Sequence, residues 1–236
     1  MGAENPSASA APGGCALLSQ PAPVPEVVRI RTTAFPLEDT SPDTPPQRIQ
    51  VDGFLLRAWR PDDAERLQEA LTRSRIELEA WTPWVLQGAD DVEALRTRLA
   101  GYATDFQAGE DSLFALMEPD ESAVLGGVGL YRRVGPDALE IGYWIRSDRA
   151  GQGLATAASR ALTDVAFALP GIERVEIHCR VDHRASIRIA EKLGYRCREV
   201  VAGTPARPGD TEIWEVERAA WASGPDIVRP PVAKQP

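Results

Sequence analysis

Residues 140–156 run Glu140-Ile-Gly-Tyr-Trp-Ile-Arg146, Ser147-Asp-Arg-Ala150 and Gly151-Gln-Gly-Leu-Ala-Thr156, and this stretch decides the fold. Its first part has the alternation of a strand, and apolar residues recur at helical spacing from Leu154 onward. A strand that enters a helix through glycines points several backbone N–H groups at one place, where the helix dipole adds positive charge. The glycines let a phosphate approach the main chain without a Cβ in the way. We therefore predict an anion-binding cradle at 149–156.

The glycine-rich turn matches neither of two common nucleotide-binding motifs. It lacks the Gly-x-Gly-x-x-Gly pattern of dinucleotide sites, and no Gly-Lys-Ser/Thr follows it as in a P-loop. A turn that is rich in glycine only for tight packing is the other interpretation. The turn alone leaves both open, so its neighbours must decide between them.

The segments around the turn alternate between strand and helix patterns. Helices are predicted at 61–74, 90–108, 154–169 and 186–193. Strands are predicted at 51–59, 112–117, 123–131, 138–146, 174–181, 195–201 and 211–217. This order predicts a mixed α/β domain in which helix 154–169 is the crossover between two parallel strands.

The distribution of proline predicts the domain boundaries. Nine of the 20 prolines lie in residues 1–50, five in 51–204 and six in the last 32 residues. Residues 1–50 are expected to form a mostly disordered arm, with a possible short strand at 26–35, because the Ala/Pro/Ser/Gly-rich residues 1–25 bury too little apolar surface to offset their ordering entropy. We expect one domain at 51–222 and a disordered tail at 223–236.

Charge and cysteine content limit the partners. The net charge of -9 argues against a nucleic acid, whose binding draws on many Lys and Arg residues, and suits an amine-bearing substrate. Cys15, Cys179 and Cys197 have neither disulfide nor metal-site spacing, so we expect no metal. No secretory signal and no membrane-spanning run are visible, so we expect a cytoplasmic protein without a membrane partner.

Four segments, in their order along residues 51–218, together resemble the GNAT acetyltransferase superfamily. The stretch 140–156 is followed by Ala185-Ser-Ile-Arg-Ile-Ala-Glu-Lys-Leu-Gly-Tyr195. The entry Leu56-Arg-Ala-Trp-Arg-Pro-Asp-Asp-Ala64 and the pair Trp81-Thr-Pro-Trp84 are similar to the branch that acetylates the N-terminal amines of ribosomal proteins. Four matching segments in one order are hard to obtain by chance.

The resemblance implies a fold and an activity. The fold is a mixed, largely antiparallel sheet of about six to seven strands with a splayed parallel central pair, flanked by four helices. The activity is transfer of an acetyl group from acetyl-CoA to a primary amine, either a protein N-terminus or a small molecule, by a monomer or homodimer. A non-catalytic acyl-CoA-binding sensor or partner-binding module is the alternative function.

The resemblance also implies which residues hold the co-substrate. They are Trp144, Ile145, Arg146, Arg149, Gly151, Gln152, Gly153, Leu154, Ala155, Thr156, His183 and Ser186. Two positions depart from the superfamily's pattern. Ala150 stands where an Arg or Gln is usual, and His183 stands where the branch usually has Asn. Because Arg149 lies one residue early, we assign the cradle to the main chain of residues 151–155.

Direct transfer to an amine sets three tasks: the ammonium must lose a proton, the oxyanion needs donors, and the thiolate benefits from an acid. The resemblance implies Glu140 as the base and a backbone N–H near Trp144 or Ile145 as the oxyanion donor. Alternation places Glu140 on the same strand face as Gly142, which leaves room beside it. A surface or salt-bridged glutamate is the other interpretation of Glu140.

For the acid, the resemblance implies Ser186. Many members of the superfamily carry a Tyr four residues later, but this chain has Ala190 there. The other interpretation of Ser186 is a helix N-cap, a position that favours Ser.

Trp81 and Trp84 are expected to line the acceptor pocket, as the branch suggests, with core anchors as the competing interpretation. We expect His178 to be structural. Cys179 lies on the apolar face of its strand and is expected to fill the core, without a role as a covalent nucleophile.

Overall fold

The structure is a computed structural model, and it describes residues 43–204 and 209–223. The segment 1–25, the possible strand at 26–35 and most of the tail at 223–236 therefore lie outside the described residues. Within the described part, no helix is long and apolar enough to cross a membrane.

One sheet of eight strands forms the centre of the described chain, in the order β1-β2-β3-β4-β5-β6-β8-β7. The strands are β1 Arg48–Val51, β2 Phe54–Ala58, β3 Ser112–Met117, β4 Val124–Tyr131, β5 Ala138–Ile145, β6 Arg174–Arg180, β7 Arg196–Val201 and β8 Thr211–Glu217. All neighbours are antiparallel except β5 and β6, which are parallel. The predicted mixed α/β sheet with one parallel central pair is confirmed, with eight strands in place of six to seven.

The first predicted strand, 51–59, is part of a hairpin. Strands β1 and β2 pair around Asp52-Gly53, where Gly53 has φ +82°. Asp-Gly is a strong signal for a two-residue hairpin turn, and here the glycine takes the positive φ that the turn requires. The predicted strand at 51–59 runs through Asp52-Gly53 and so misses this turn. The turn separates β1 from β2 and accounts for the additional strand.

Six helices accompany the sheet in the described residues, where four were expected. They are α1 Ala64–Arg73, α2 Arg75–Trp81, α3 Val92–Gln107, α4 Leu154–Ala168, α5 Arg184–Lys192 and α6 Arg218–Ala222. The four expected helices correspond to α1, α3, α4 and α5. The two additional helices, α2 and α6, are seven and five residues long, too short for a periodic pattern to reveal.

Two apolar cores lie on opposite faces of the sheet. On one face, Leu139 and Ile141 of β5 pack in a buried cluster with Leu162 of α4. A second cluster includes Leu71 of α1 and Leu99 of α3. Both faces of the central strands are therefore buried, and α4 is the crossover that returns the chain from β5 to the parallel strand β6.

The parallel pairing of β5 and β6 is short. Its register joins Ala138 to Arg174, Leu139 to Val175 and Glu140 to Glu176, and it ends there. Both strands continue beyond this point, to Ile145 and Arg180. They diverge after Glu140 and leave a gap, which we call the fork. The expected splayed pair is thus present.

A buried ion pair ties β2 to the start of α1. Arg57 donates to both carboxylate oxygens of Asp63, at 3.0 and 2.8 Å, and the two residues are only 3% and 2% exposed. Asp63 also accepts the N–H of Arg60 at 2.9 Å. These contacts explain the Arg-x-Trp-Arg-Pro-x-Asp spacing of the entry segment as structural.

We expect Asp63→Asn to lower the free energy of unfolding by about 3 kcal/mol, because it leaves the buried Arg57 charge with only the partly exposed Glu121 as a counter-charge. Glu69→Gln, in the exposed pair between Arg73 and Glu69, is the matched control and should change stability by less than about 1 kcal/mol. Urea unfolding followed by circular dichroism measures both. Equal, small losses in the two variants would contradict a structural role for the buried pair.

Candidate active site

The predicted cradle is an open turn at the N-terminus of α4. Gly151 and Gly153 have φ of +76° and +82°, and no atom lies within 4 Å of the place where a Cβ would stand on either glycine. The backbone N–H groups of residues 151–156 donate to no other described residue. Several free donors at the start of a 15-residue helix, on an open surface, fit a pyrophosphate.

The arginines beside the cradle are already paired. Arg149 forms an ion pair with Glu118, at the end of β3, and donates to Gln152 at 3.2 Å. Arg146 is buried, and its guanidinium contacts the Asp148 carboxylate and the carbonyl oxygen of Val124. The main chain is therefore the free donor set at this turn.

Trp144 and Ile145, at the end of β5, pair with two glycines of β4. Gly127 lies opposite Trp144 and Gly126 opposite Ile145. A Cβ on Gly127 would stand 2.6 Å from Nε1 of the Trp144 indole. The glycines of β4 therefore make room for this indole.

On the α4 face of the fork, Ser186 belongs to a buried hydroxyl and thiol cluster. Its Oγ lies 2.8 Å from Oη of Tyr143 and 3.1 Å from Sγ of Cys179. Helix α5 begins at Arg184, and Ser186 lies in its first turn with its hydroxyl bonded to these two side chains. The hydroxyl does not cap the helix.

Burial keeps this cluster protonated. It raises the pKa of Tyr143 well above its ordinary value, although the bond to Ser186 opposes the shift. It also raises the pKa of Cys179 to about 11. Ser186 is thus surrounded by proton donors at neutral pH, and Cys179 is not a thiolate.

On the opposite face, Glu140 is buried beside charged partners. Both of its oxygens accept from Arg133, each at 2.7 Å. His178 Nδ1 lies 3.6 Å from Oε2 of Glu140, and His178 Nε2 lies 2.7 Å from Oε2 of Glu176. Glu140 is therefore salt-bridged, the alternative that the sequence left open, and it stands at the point where β5 and β6 part.

Helix α2 spans the open end of the fork. At the β5 side, the N–H of Ser147 donates to Oγ of Ser74 at 3.0 Å, and Ser147 Oγ donates to Glu77 at 2.7 Å. At the β6 side, Arg180 donates to the carbonyl oxygen of Ala80 at 3.3 Å. The residues just before and within α2 thus contact the ends of both diverging strands.

Trp81, at the end of α2, stacks on His183. Their ring centroids are 4.0 Å apart and nearly parallel, and the Arg180 guanidinium lies 5.0 Å from the Trp81 ring centroid. Burial lowers the pKa of His183, which favours the neutral ring. Trp84 is 58% exposed. Neither tryptophan belongs to an apolar core, so the core-anchor interpretation does not hold.

The sequence does not predict the contacts of three residues at the fork. Tyr143 has the pattern of an apolar strand residue, Arg133 lies close to a predicted turn, and His178 is expected to be structural. Alternation places His178 on the polar face of β6. Only the pairing of β5 with β6 shows that this face is also that of Glu140.

Comparisons with known proteins agree with this geometry. Residues 54–196, more than half of the chain, match the family described as the acetyltransferase (GNAT) domain. A ribosomal-protein-serine acetyltransferase of Escherichia coli (strain K12) is 28% identical over 152 residues, which cover 63% of this chain and 83% of the relative.

Two solved structures share the fold. The microcin C7 self-immunity acetyltransferase MccE, in complex with acetyl-CoA and AMP, has a TM-score of 0.66 at 19% identity, covering 75% of this chain and 99% of its own. The ribosomal-protein-S5-alanine acetyltransferase from Vibrio fischeri has a TM-score of 0.65 at 18% identity, covering 78% of this chain and 99% of its own.

A sheet with one splayed parallel pair beside a turn of free main-chain N–H groups fits one class: an acyltransferase fold that accommodates a CoA thioester. The chain belongs to the GNAT acetyltransferase family. The expected enzyme class is confirmed, and so is the resemblance to acetyltransferases of ribosomal proteins.

We expect Gly153→Glu to weaken CoA binding by at least about 100-fold, roughly 3 kcal/mol, because it places a carboxylate among the free N–H groups. Gly171→Glu is the matched control: this glycine also has positive φ, +75°, with open space around it. It carries the same backbone strain outside the cradle, between α4 and β6. Calorimetric titration with CoA measures both variants, and equal affinities would refute the cradle.

Proposed function

We propose that this protein transfers an acetyl group from acetyl-CoA directly to a primary amine, and that the amine is the N-terminus of a protein. The observation that carries the proposal is the division of the fork. Carboxylates and an imidazole lie on one face, and hydroxyl and thiol donors lie on the other. A thioester in the gap would have proton acceptors on the amine side and proton donors on the sulfur side.

Acetyl-CoA, present in the MccE structure, supplies the activated thioester. The N–H groups of residues 151–156 hold its pyrophosphate, since they are free and open. Trp144 and Ile145 lie at the end of β5, beside the gap, where β6 no longer pairs with the strand. Alternate N–H groups of this strand point into the gap, and we assign the oxyanion to them.

The acid in this mechanism is Ser186. Its hydroxyl gives a proton to the departing thiolate, whose thiol has an ordinary pKa of about 8.5. Tyr143 lies within hydrogen-bonding distance of Ser186 and can return the proton. Burial raises the pKa of Tyr143, so its hydroxyl stays protonated before it is needed.

The base in this mechanism lies on the other face. A substrate ammonium is attracted by the charge of Glu140 and gives up its proton on this face before attack. Glu140 is the base that the sequence predicts, and His178 stands beside it. A binding protein without activity would not require this division of donors and acceptors, so the sensor alternative is less well supported.

A protein N-terminus is the acceptor that the comparisons favour, because the E. coli relative is a ribosomal-protein-serine acetyltransferase. The acceptor enters under α2, past Trp81 and the exposed Trp84, on the face of Glu140. A small-molecule amine is the second candidate, because the resemblance to the superfamily leaves both kinds of acceptor open.

The test is acetyl transfer to a panel of amines, measured by thiol release and by the mass of the product. The panel contains peptides with free Ser or Ala N-termini, the same peptides with blocked N-termini and internal lysines, and small amines. Transfer only to free N-termini supports the proposal. Transfer only to small amines would move the acceptor to the second candidate, and no transfer despite tight acetyl-CoA binding would overturn the function.

We expect Ser186→Ala to lower kcat by about 10²-fold or more, the usual contribution of one proton-transfer group, with the affinity for CoA little changed. Ser159→Ala is the control, because Ser159 is buried in α4 and its hydroxyl has no hydrogen-bond partner among the described residues. Steady-state kinetics measure both variants. A kcat for Ser186→Ala equal to that of the control would exclude Ser186 as the acid.

A further inference from the structure

His178 stands between two carboxylates at the fork. Its Nε2 lies 2.7 Å from Glu176 Oε2, and its Nδ1 lies 3.6 Å from Glu140 Oε2. The first distance is a short hydrogen bond, whereas the second is too long for one. The side chain of His178 is 15% exposed, while those of Glu176 and Glu140 are 3% and 7% exposed.

Glu176 fixes the tautomer of His178. Burial opposes ionisation of Glu176, but hydrogen bonds from His178 and Arg174 outweigh it and hold the pKa of Glu176 below its ordinary value. An ionised carboxylate only accepts hydrogen bonds, so Nε2 must carry the proton. When His178 is neutral, the lone pair of Nδ1 faces Glu140, and no residue that the structure describes donates to it.

The carboxylate of Glu140 has more hydrogen-bond partners than Nδ1 of His178. Both of its oxygens accept from Arg133 in a bidentate pair at 2.7 Å. Both oxygens of Glu140 are thus already engaged by charge-assisted hydrogen bonds, whereas Nδ1 of His178 accepts from no described residue. The charge of Glu140 still attracts a cation to the space beside Nδ1 of His178.

The position of His178 relative to the gap completes the geometry. The β5–β6 register ends at Glu140 and Glu176, and His178 follows two residues later on the same face of β6. The next residue, Cys179, points to the opposite face, where it contacts Ser186. Adjacent residues of β6 therefore serve the two faces of the fork: His178 lies on the face of Glu140, and Cys179 lies on the face of Ser186.

We infer that His178 is the catalytic base, that Glu176 is its positioning residue, and that Glu140 binds the ammonium; this rests on the proposed function. A proton moves from the ammonium to Nδ1. The freed lone pair forms the C–N bond to the acetyl carbon, the C–S bond breaks with its electron pair on sulfur, and Ser186 gives a proton to that sulfur. The acylated nitrogen then loses its second proton, which replaces the one that Ser186 gave, and His178 releases its proton to solvent. Atoms and charge balance without any further reactant.

The carboxylates that surround His178 are paired with arginines. Glu140 on β5 is paired with Arg133, and Glu176 is bound by Arg174 of β6 and Arg198 of β7. Arg198 also pairs with Glu215 of β8, which lies beside Glu176. Each carboxylate near the imidazole thus has at least one arginine partner.

The test compares four variants with the wild-type enzyme. His178→Gln keeps an amide donor for Glu176 but removes the base, and we expect it to lower kcat by about 10²-fold or more with little change in the KM for acetyl-CoA. The deficit should shrink as pH rises, since more amine then arrives unprotonated. Added imidazole should restore activity to His178→Ala and leave the wild type unchanged.

The other two variants separate the roles of the carboxylates. Glu140→Gln should raise the KM of the amine more than it lowers kcat. Glu176→Gln should lower kcat and change the tautomer signature of His178 in ¹H–¹⁵N NMR spectra, which are simple because the chain has two histidines. This spectral change is readable even if a His178 variant fails to fold.

The outcomes distinguish this inference from the proposed function. Wild-type kcat and an unchanged pH profile in His178→Gln would overturn the inference, and collapse of kcat in Glu140→Gln alone would assign the base to Glu140. No acetyl transfer by the wild type, despite acetyl-CoA binding, would overturn the proposed function and the inference with it. Loss of kcat in His178→Gln with imidazole rescue of His178→Ala confirms the base.

Discussion

The structure depends on one constraint: β5 and β6 pair in parallel for three residues and then diverge. Parallel pairing needs a crossover, which α4 supplies, and the start of α4 carries the cradle. Divergence opens the gap in which strand backbone groups and side chains from both faces become available. Continued pairing to Ile145 would close the gap and separate Ser186 from the opposite face. The cradle and the fork therefore follow from the same short register.

Burial of charge at the fork sets the second requirement. Glu140 and Glu176 are 6% and 2% exposed, and buried carboxylates are costly unless they are paired and hydrogen-bonded. Arg133, Arg174 and Arg198 meet this requirement from three different elements. These arginines supply counter-charges to both carboxylates, and the imidazole of His178 lies between the two. The same ion pairs thus stabilise the buried charges of the fork and, in the proposed mechanism, position the groups that move the proton.

Most elements were predictable because their patterns are local. Strand β3 matches the predicted 112–117, and α4 begins at the predicted Leu154, since alternation, helical spacing and glycine are properties of adjacent residues. The β1–β2 hairpin was not predicted, although the sequence Asp52-Gly53 is a recognised signal for a hairpin turn. Helix α2 was missed because seven residues carry too little periodicity.

The sequence by itself determined the glycine-rich turn at 149–156, most of the order of the elements and the acetyltransferase family, because each depends on contiguous residues. Tertiary structure alone decided that Glu140 is bound by Arg133, that Tyr143 contacts Ser186, and that His178 lies between two carboxylates. These contacts depend on how β5 meets β6 across α4. No local pattern encodes the register between strands that are separated by a helix, and that register selects the partners of every charged group at the fork.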